Sequence, residues 1–366
     1  MKNGWQEKSV GDILQLEYGK PLDESDRNPN GRFPVYGANG EKDRTDKFYH
    51  GKPSIIVGRK GSAGEINLTE RRFWPLDVTY FVTFDEHQHD LRFLYYLLTT
   101  LELTKLAKGV KPGINRNEVY SQVTRVPPLP EQQRIVGILD QAFEGIATAK
   151  ANAQKNLQNA RALFESHLQS VFTQRPLSEV EGRGPEWVET TVDQISTNLD
   201  SRRVPITKNV RTSGEYPYYG ASGIVDYVGD YIFEGDTLLV SEDGANLLAR
   251  STPIAFSVSG KYWVNNHAHI LKFENMATQR FVEFYLESIK LDEYITGAAQ
   301  PKLNQKALNS IPIPIPKSVE AQAKIVECVE SLQEETQRLE SLYQRKLAAL
   351  EALKKSLLHQ AFTGNL

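Results

Sequence analysis

The side chains in this chain best placed for contact chemistry are cations set among glycines. Lys105, Lys108, Lys111 and Arg116 fall within Lys105–Asn117 with no intervening acid, and Gly109, Pro112 and Gly113 keep that stretch out of regular structure. Arg59 and Lys60 sit in Gly58-x-x-Gly61-x-x-Gly64, and Arg71-Arg72 precedes Phe73-Trp74. Arg202, Arg203, Lys208 and Arg211 form a second acid-free run. Lys and Arg on loops of this kind suit phosphate oxygens, while Arg, Asn, Gln and Ser suit base edges. The plain alternative for any one of them is a solvated surface cation. Metal chemistry has a weaker footing. His267-x-His269 puts two imidazoles on one strand face, which a metal ion can use, but a hydrogen-bonded strand explains them as well. His87-x-His89, among Asp85, Glu86 and Asp90, reads as a solvated helix entry.

Catalytic constellations are missing from the sequence. It has no GxxxxGK[ST] phosphate loop, no [DN]PP[YF] tetrapeptide of the adenine methyltransferase kind, and no paired carboxylates before an ExK in the nuclease manner. Cys328 is the only cysteine, which excludes a cysteine zinc site and a disulfide framework and fits a reducing cytoplasm. No window approaches a membrane span, and the amino terminus has no apolar signal region. With 366 residues, 40% hydrophobic and 24% charged, the chain has room for two domains with real cores. Net charge is −3, so a diffuse electrostatic grip on nucleic acid is excluded and only focused contacts remain.

What positions those loops is a tandem duplication. Trp5 and Trp187 open matching segments. "FPVYGANG" (33–40) returns as "YPYYGASG" (216–223), and "IVGRKGSAG" (56–64) as "LVSEDGANL" (239–247), both offset by 183. "FWPLDVTYFV" returns as "YWVNNHAHIL" and "KPGIN" (111–115) as "QPKLN" (300–304), offset by 189; Phe172 and Phe362 match at 190. Order is kept and the offset drifts slowly, as loop insertions make it. Framework residues repeat, whereas the polar loop residues diverge. Two copies of one scaffold with different loop chemistry suit two different targets of one kind, as two DNA half-sites are.

On that basis the candidate DNA contacts in the first copy are Tyr36, Asn39, Arg59, Lys60, Ser62, Arg71, Lys108, Lys111, Asn115 and Arg116. In the second they are Arg202, Arg203, Tyr219, Ser222, Asn246, Arg250, Lys302 and Asn304. Short β-rich runs (Ser54–Gly58, Val78–Phe84) precede a helical pattern at Leu91–Leu106, matched by Arg280–Ile295.

Each copy ends in a long helical run. Ile135, Leu139, Ala142, Ile146 and Ala149, with Leu163 beyond, step by four and three. So do Ile325, Val329, Leu332, Leu339, Tyr343, Leu350, Leu353 and Leu357. Apolar residues at this spacing predict two helices that pair, here as an antiparallel coiled coil acting as a rigid ruler. Prolines 127, 128 and 130, and later 312, 314 and 316, mark extended junctions; Ser318 is a cap, and Arg175-Pro176 stops the first helix. The expected fold class is therefore α+β, with two pseudo-repeated globular α/β domains at 1–129 and 177–317. Spacer helices follow at 130–176 and 318–366.

In this order and twice over, these residues resemble the specificity subunit of type I restriction-modification enzymes. The resemblance rests on the two tryptophans, "YGANG" and "YGASG", "EDGANLLAR", "WVNNHAHIL", "PPLPEQQRIV" and the terminal "LLHQAFTGNL". The second junction, "IPIPKSVEAQAKIV", departs from the fuller form, and the first long helix lacks a terminal Gly-x-Leu. The resemblance implies two target recognition domains reading a bipartite target in double-stranded DNA. It implies a non-catalytic chain with no cofactor of its own, no metal and no membrane association. Modification subunits, two of them, would bring S-adenosylmethionine, and a restriction and motor subunit would bring ATP and Mg2+. The rival from another class is a coiled-coil adaptor without DNA reading, which explains the seam but not the duplicated loops. A methyltransferase or nuclease in its own right lacks the motifs.

Overall fold

The computed structural model describes residues 4–173, 185–297 and 300–366. The chain divides into two compact units, Met1–Gln154 with Arg345–Leu366, and Lys155–Gln344. Both follow one plan.

In the first unit the central strand Ser54–Gly58 is buried along its whole length. It lies between Thr79–Thr83 and Ile66–Thr69, with Gln15–Tyr18 outside Thr79–Thr83, all antiparallel. Side chains alternate across a strand. Ile55 and Val57 accordingly meet Phe93, Leu94, Leu97 and Leu98 of helix Leu91–Thr100. Ile56 faces the other way, onto Phe73 and Phe81. A second sheet pairs Phe33–Gly37 with the edge strand Gly40–Thr45, antiparallel, and with Trp74–Pro75, parallel. The helical pattern expected to Leu106 ends at Thr100, because Glu102 takes a left-handed conformation (φ 47°) and Leu103–Leu106 tightens to a 3-10 turn.

The second unit repeats the strand order: Thr197–Asn198, Ala268–Lys272, Thr237–Ser241, Ala255–Val258. Its second sheet pairs Ser213–Gly220 with the edge strand Gly223–Val228 and, in parallel, with Lys261–Val264, while Phe233–Glu234 flanks the latter. The registers coincide: Val35 and Tyr36 face Trp74 and Pro75, and Tyr218 and Tyr219 face Trp263 and Val264. The helix here is Met276–Ser288, not Arg280–Ile295. Asn275 starts it early by accepting from the Thr278 N–H, and Ile295–Thr296 pairs instead as a strand with Lys302–Leu303.

The second set of prolines lies in a short ladder, Trp187–Thr191 with Pro312–Pro316, an edge where missing N–H groups are tolerated. In the first copy Gln6–Ser9 pairs with Val123–Val126, Pro127 and Pro128 follow that ladder, and Pro130 stands in the first turn of the long helix. Buried glutamines fix the junctions. Gln132 donates to the Pro127 and Gln88 carbonyls and accepts from the Asp90 N–H; Gln322 donates to the Pro316 carbonyl and accepts from the Thr278 hydroxyl. His89 is buried beside Gln132 rather than solvated, and burial lowers its pKa.

The long helices run Leu129–Thr173 and Val319–Thr363, the second capped by Ser318, whose hydroxyl accepts from the Ala321 N–H. The stop expected at Arg175-Pro176 lies outside the described residues. Within the first unit Ile135, Leu139, Leu358 and Ala361 share a core, Arg134 reaches the Leu366 carbonyl and Lys150 pairs with Glu351, so the partners run antiparallel. Within the second, Leu168 and Phe172 pack with Val326 and Val329, and Arg161 pairs with Glu340, again antiparallel. Phe362 packs on Phe93, and Phe172 on Phe281, both at 5.2 Å between ring centres, so the repeat extends to the helix ends. Val329 is fully buried, and Ile146 and Ala153 nearly so. Ala142, Ala149, Ile325, Leu332, Leu339, Tyr343, Leu350 and Leu357 are half-buried. Leu163 and Leu353 are exposed, at 66% and 47%. Phe164 takes the inward position beside the first, and beside the second Lys354 lies across the Phe143 ring.

Candidate nucleic-acid interface

The first sheet holds three loops at one end. Gly58 ends the central strand and is followed by Arg59 and Lys60, whose N–H groups both donate to the Val78 carbonyl. The proline loop crosses it: Gly61 N–H donates to Pro112 O (2.8 Å) and Ile114 N–H to Arg59 O (3.0 Å), while Lys108 and Gly113 exchange two hydrogen bonds. The hairpin turn at Gly37–Gly40 is the third. A Cβ on Gly58 would lie 2.6 Å from Ala38 O and 2.1 Å from Ser62 O, so only glycine lets turn and loop meet there.

This clamp gathers charge. The guanidinium groups of Arg59 and Arg116 lie 5.2 and 5.1 Å from the centre of the exposed Tyr18 ring, a cation–π arrangement. Tyr80, paired with Tyr18 across the strands, donates to Ile114 O, and burial, then Tyr18, pushes its phenol up. Lys60, Lys108 and Lys111 are exposed around them. Lys108 is held by Glu118; among the described residues Arg59, Lys60, Lys111 and Arg116 have no ion-pair partner.

The second unit builds the same clamp from opposite chemistry. Gly244 N–H donates to Pro301 O (3.0 Å), Leu303 N–H to Glu242 O (2.8 Å) and Glu242 N–H to His267 O (2.9 Å), each the counterpart of a bond in the first. Where the first has Arg59 and Lys60, the second has Glu242 and Asp243. The place of Tyr80 is taken by His269, whose Nε2 meets Leu303 O at 2.8 Å. His269 Nδ1 meets Asp200 at 2.5 Å, and Arg203 bonds Glu242 at 2.6 Å and the Ala268 carbonyl at 2.8 Å. Lys302 lies 3.1 Å from Glu242. Burial works against the charged forms of Asp200 and Glu242, but hydrogen bonds from His269 to the first and from Arg203 and Lys302 to the second outweigh it. Both carboxyls are held below their ordinary values. Asp200, Glu242 and His269 are close enough to hold a metal ion, yet Arg203 and Lys302 already neutralise the carboxylates, and both imidazole nitrogens face oxygens. His267 points elsewhere, exposed and bonded to Asp243 at 2.9 Å, so the two histidines do not converge on one ion.

The sequence candidates therefore divide. Arg59, Lys60, Lys108, Lys111 and Arg116 come together with Ser62 on the exposed clamp loop and Asn39 on the hairpin turn; Ser222 takes the equivalent turn in the second unit. Arg71 is exposed past Thr69, at the far end of the sheet from Gly58. Tyr36 and Tyr219 are half-buried against Phe73 and against Phe256 and Tyr262. Asn115 and Asn304 cap short helices, accepting from the N–H groups of Asn117 and Ala307. Asn246 closes a loop onto Thr252, and Arg250 holds the Leu286 and Ile289 carbonyls at the end of Met276–Ser288. Arg203 and Lys302 neutralise the buried carboxylates, and Arg202 lies over Phe233. Tyr18, Asp200 and His269 were missed as members of the clamp. Their counterpart relation shows only once the strand register is known, because the loop insertions shift the offset between them.

The family profile of the type I restriction modification DNA specificity domain matches residues 2–158 and again 185–349. The chain belongs to this family. Its two copies of the specificity domain correspond to the two clamps, and membership makes it a specificity subunit rather than an enzyme. A type I specificity subunit of Mycoplasma genitalium is 24% identical over 378 residues, covering 98% of this chain and 94% of that one. A type I restriction enzyme specificity subunit of Haemophilus influenzae is 35% identical over 153 residues, which is 42% of this chain but only 38% of that protein's length. Two solved structures share the fold end to end. One, from work on assembly and conformational transition of the type I restriction-modification system, has a TM-score of 0.77 at 15% identity, covering 100% of this chain and 99% of its own. The other, the HsdS subunit from Thermoanaerobacter tengcongensis, has 0.62 at 16%, covering 100% and 98%. Among the described residues of this specificity chain, no helix is long and apolar enough to cross a membrane.

Proposed function

We propose that this chain reads a bipartite sequence in double-stranded DNA, one half-site through the clamp loops of each specificity domain, with an unread spacer of one fixed length between. The observation that carries this is the doubled clamp: three matching backbone hydrogen bonds hold two sets of loops that carry Arg59 and Lys60 in one copy and Glu242 and Asp243 in the other. A conserved frame with exchanged side chains is what two readers of different base sequences require, since base edges are told apart by donor and acceptor pattern. The chain then sets where adenine modification occurs and carries no cofactor of its own. Two modification subunits, docking on the junctions and long helices, bring S-adenosylmethionine, and a restriction and motor subunit brings ATP and Mg2+. The setting is the cytoplasm, where the DNA is. Methylated adenines mapped across the genome, in cells with and without this chain, test the reading. A two-part motif present only with the chain supports it, and an unchanged methylation pattern refutes it.

A further inference from the structure

The edge strand of the second sheet carries different side chains in the two domains. The repeat is fixed there by matching details. Asp43 accepts from the Arg44 N–H and Asp226 from the Tyr227 N–H, and both hairpins shift register at the same step, Val35/Tyr36 and Tyr218/Tyr219. In this register Glu41, Lys42 and Arg44 of the first domain correspond to Ile224, Val225 and Tyr227 of the second. The second domain thus exposes three apolar side chains, at 48%, 56% and 50%, on an unpaired strand edge. An exposed apolar edge invites aggregation unless something covers it.

The patch runs into the clamp. Val225 lies over Gly220, its Cγ1 2.8 Å from where a Cβ would stand, and Asn265 Nδ2 is 3.3 Å from the same point. Asn265 accepts from the His267 N–H, and His267 meets Asp243 on the clamp loop. Lys42 lies over Gly37 in the same way in the first domain, its Cδ 3.5 Å from the corresponding point. One surface position next to the clamp is therefore a cation in one domain and an isopropyl group in the other.

Resting on the DNA-reading proposal above, we infer that the second domain recognises thymine methyl groups in the major groove through Ile224, Val225 and Tyr227, while the first reads its half-site through polar and charged groups. The C5-methyl is the one apolar feature of the major-groove edge, and it marks a T·A pair. The test is a binding series with the chain assembled with its modification subunits, on duplexes carrying uracil in place of thymine. Uracil keeps every hydrogen-bonding group and removes only the methyl. Each substitution at a contacted thymine of the second half-site weakens binding about fourfold, the worth of one buried carbon. The same change in the first half-site leaves affinity unaltered. The triple variant Ile224→Glu, Val225→Lys, Tyr227→Arg loses the uracil sensitivity and alters only the second half of the methylated motif. A second half-site without a T·A pair, or equal indifference to uracil in both halves, overturns the inference but leaves the bipartite reading intact. Loss of subunit co-purification in the triple variant, with uracil indifference in the native chain, assigns the patch to protein docking and overturns it too. Absence of any sequence-specific binding by the native assembly would instead sink the reading on which the inference rests.

Discussion

Removing the unpaired cations of the first clamp should flatten the salt dependence of DNA binding by a calculable amount. Arg59, Lys60, Lys111 and Arg116 have no ion-pair partner among the described residues, so their charge is available to phosphates. Each phosphate neutralised on a duplex contributes about −0.9 to the slope of log affinity against log salt. Four contacts contribute about −3.6, which between 50 and 200 mM salt amounts to roughly 150-fold in affinity. Replacing all four by Ala should make the slope shallower by about 3–4, and Lys60→Ala alone by about 1, or roughly 3.5-fold over that range. Asp243→Asn in the second clamp removes an anion and should not make the slope shallower. The assay is the dissociation constant of cognate duplex from the assembled complex at five or six salt concentrations. Arg59 and Arg116 also rest on Tyr18, so Lys60→Ala and Lys111→Ala serve as the pair least entangled with folding. A change in slope below about 0.5 for the fourfold variant would refute the argument that this loop cluster faces the DNA backbone.

Other consequences are open to measurement. Arg203→Met leaves Glu242 and Asp200 buried beside each other without their guanidinium and should destabilise the second domain by roughly 3–5 kcal/mol, seen in denaturant unfolding. The lowered carboxyls of Asp200 and Glu242 give stability that is fully present above about pH 4.5 and lost as pH falls through their folded values. Unfolding free energy measured against pH should therefore fall more steeply on the acid side for the native chain than for Asp200→Asn. Gly58→Ala drives a methyl into the Ser62 and Ala38 carbonyls and should cost about 1–3 kcal/mol while weakening first-half recognition, whereas Gly61→Ala meets no neighbour and pays only for its positive φ. Exchanging residues 1–129 for those of a relative should change one half of the methylated motif; a change in both halves would show that the domains do not read independently.

Much of this architecture was legible in the residues. The duplication, the two long helices and the α+β class follow from repeated strings and from apolar residues at 4-3 spacing, because these patterns are local and survive loop insertion. Helix ends were less legible. Glu102 in a left-handed conformation and Asn275 as a cap decide where helices stop and start, and both depend on one residue's backbone rather than on periodicity. Seam membership failed at Leu163 and Leu353, since a helix of 3.6 residues per turn offers two neighbouring positions for each inward step and packing chooses between them.

By itself, the sequence determined that two equal halves share a frame and differ in their loops, because backbone-defining residues such as Gly61, Trp74 and Pro112 recur while side chains around them do not. It also placed cations at Arg59, Lys60, Lys111 and Arg116. Only the tertiary structure decided which cations stay available, turning Arg203 and Arg250 inward and pairing the exposed Lys302 with Glu242, each with partners more than thirty residues away. A string of residues shows which charges exist, but whether a charge faces water or a buried carboxylate depends on strand register, and register is a long-range property.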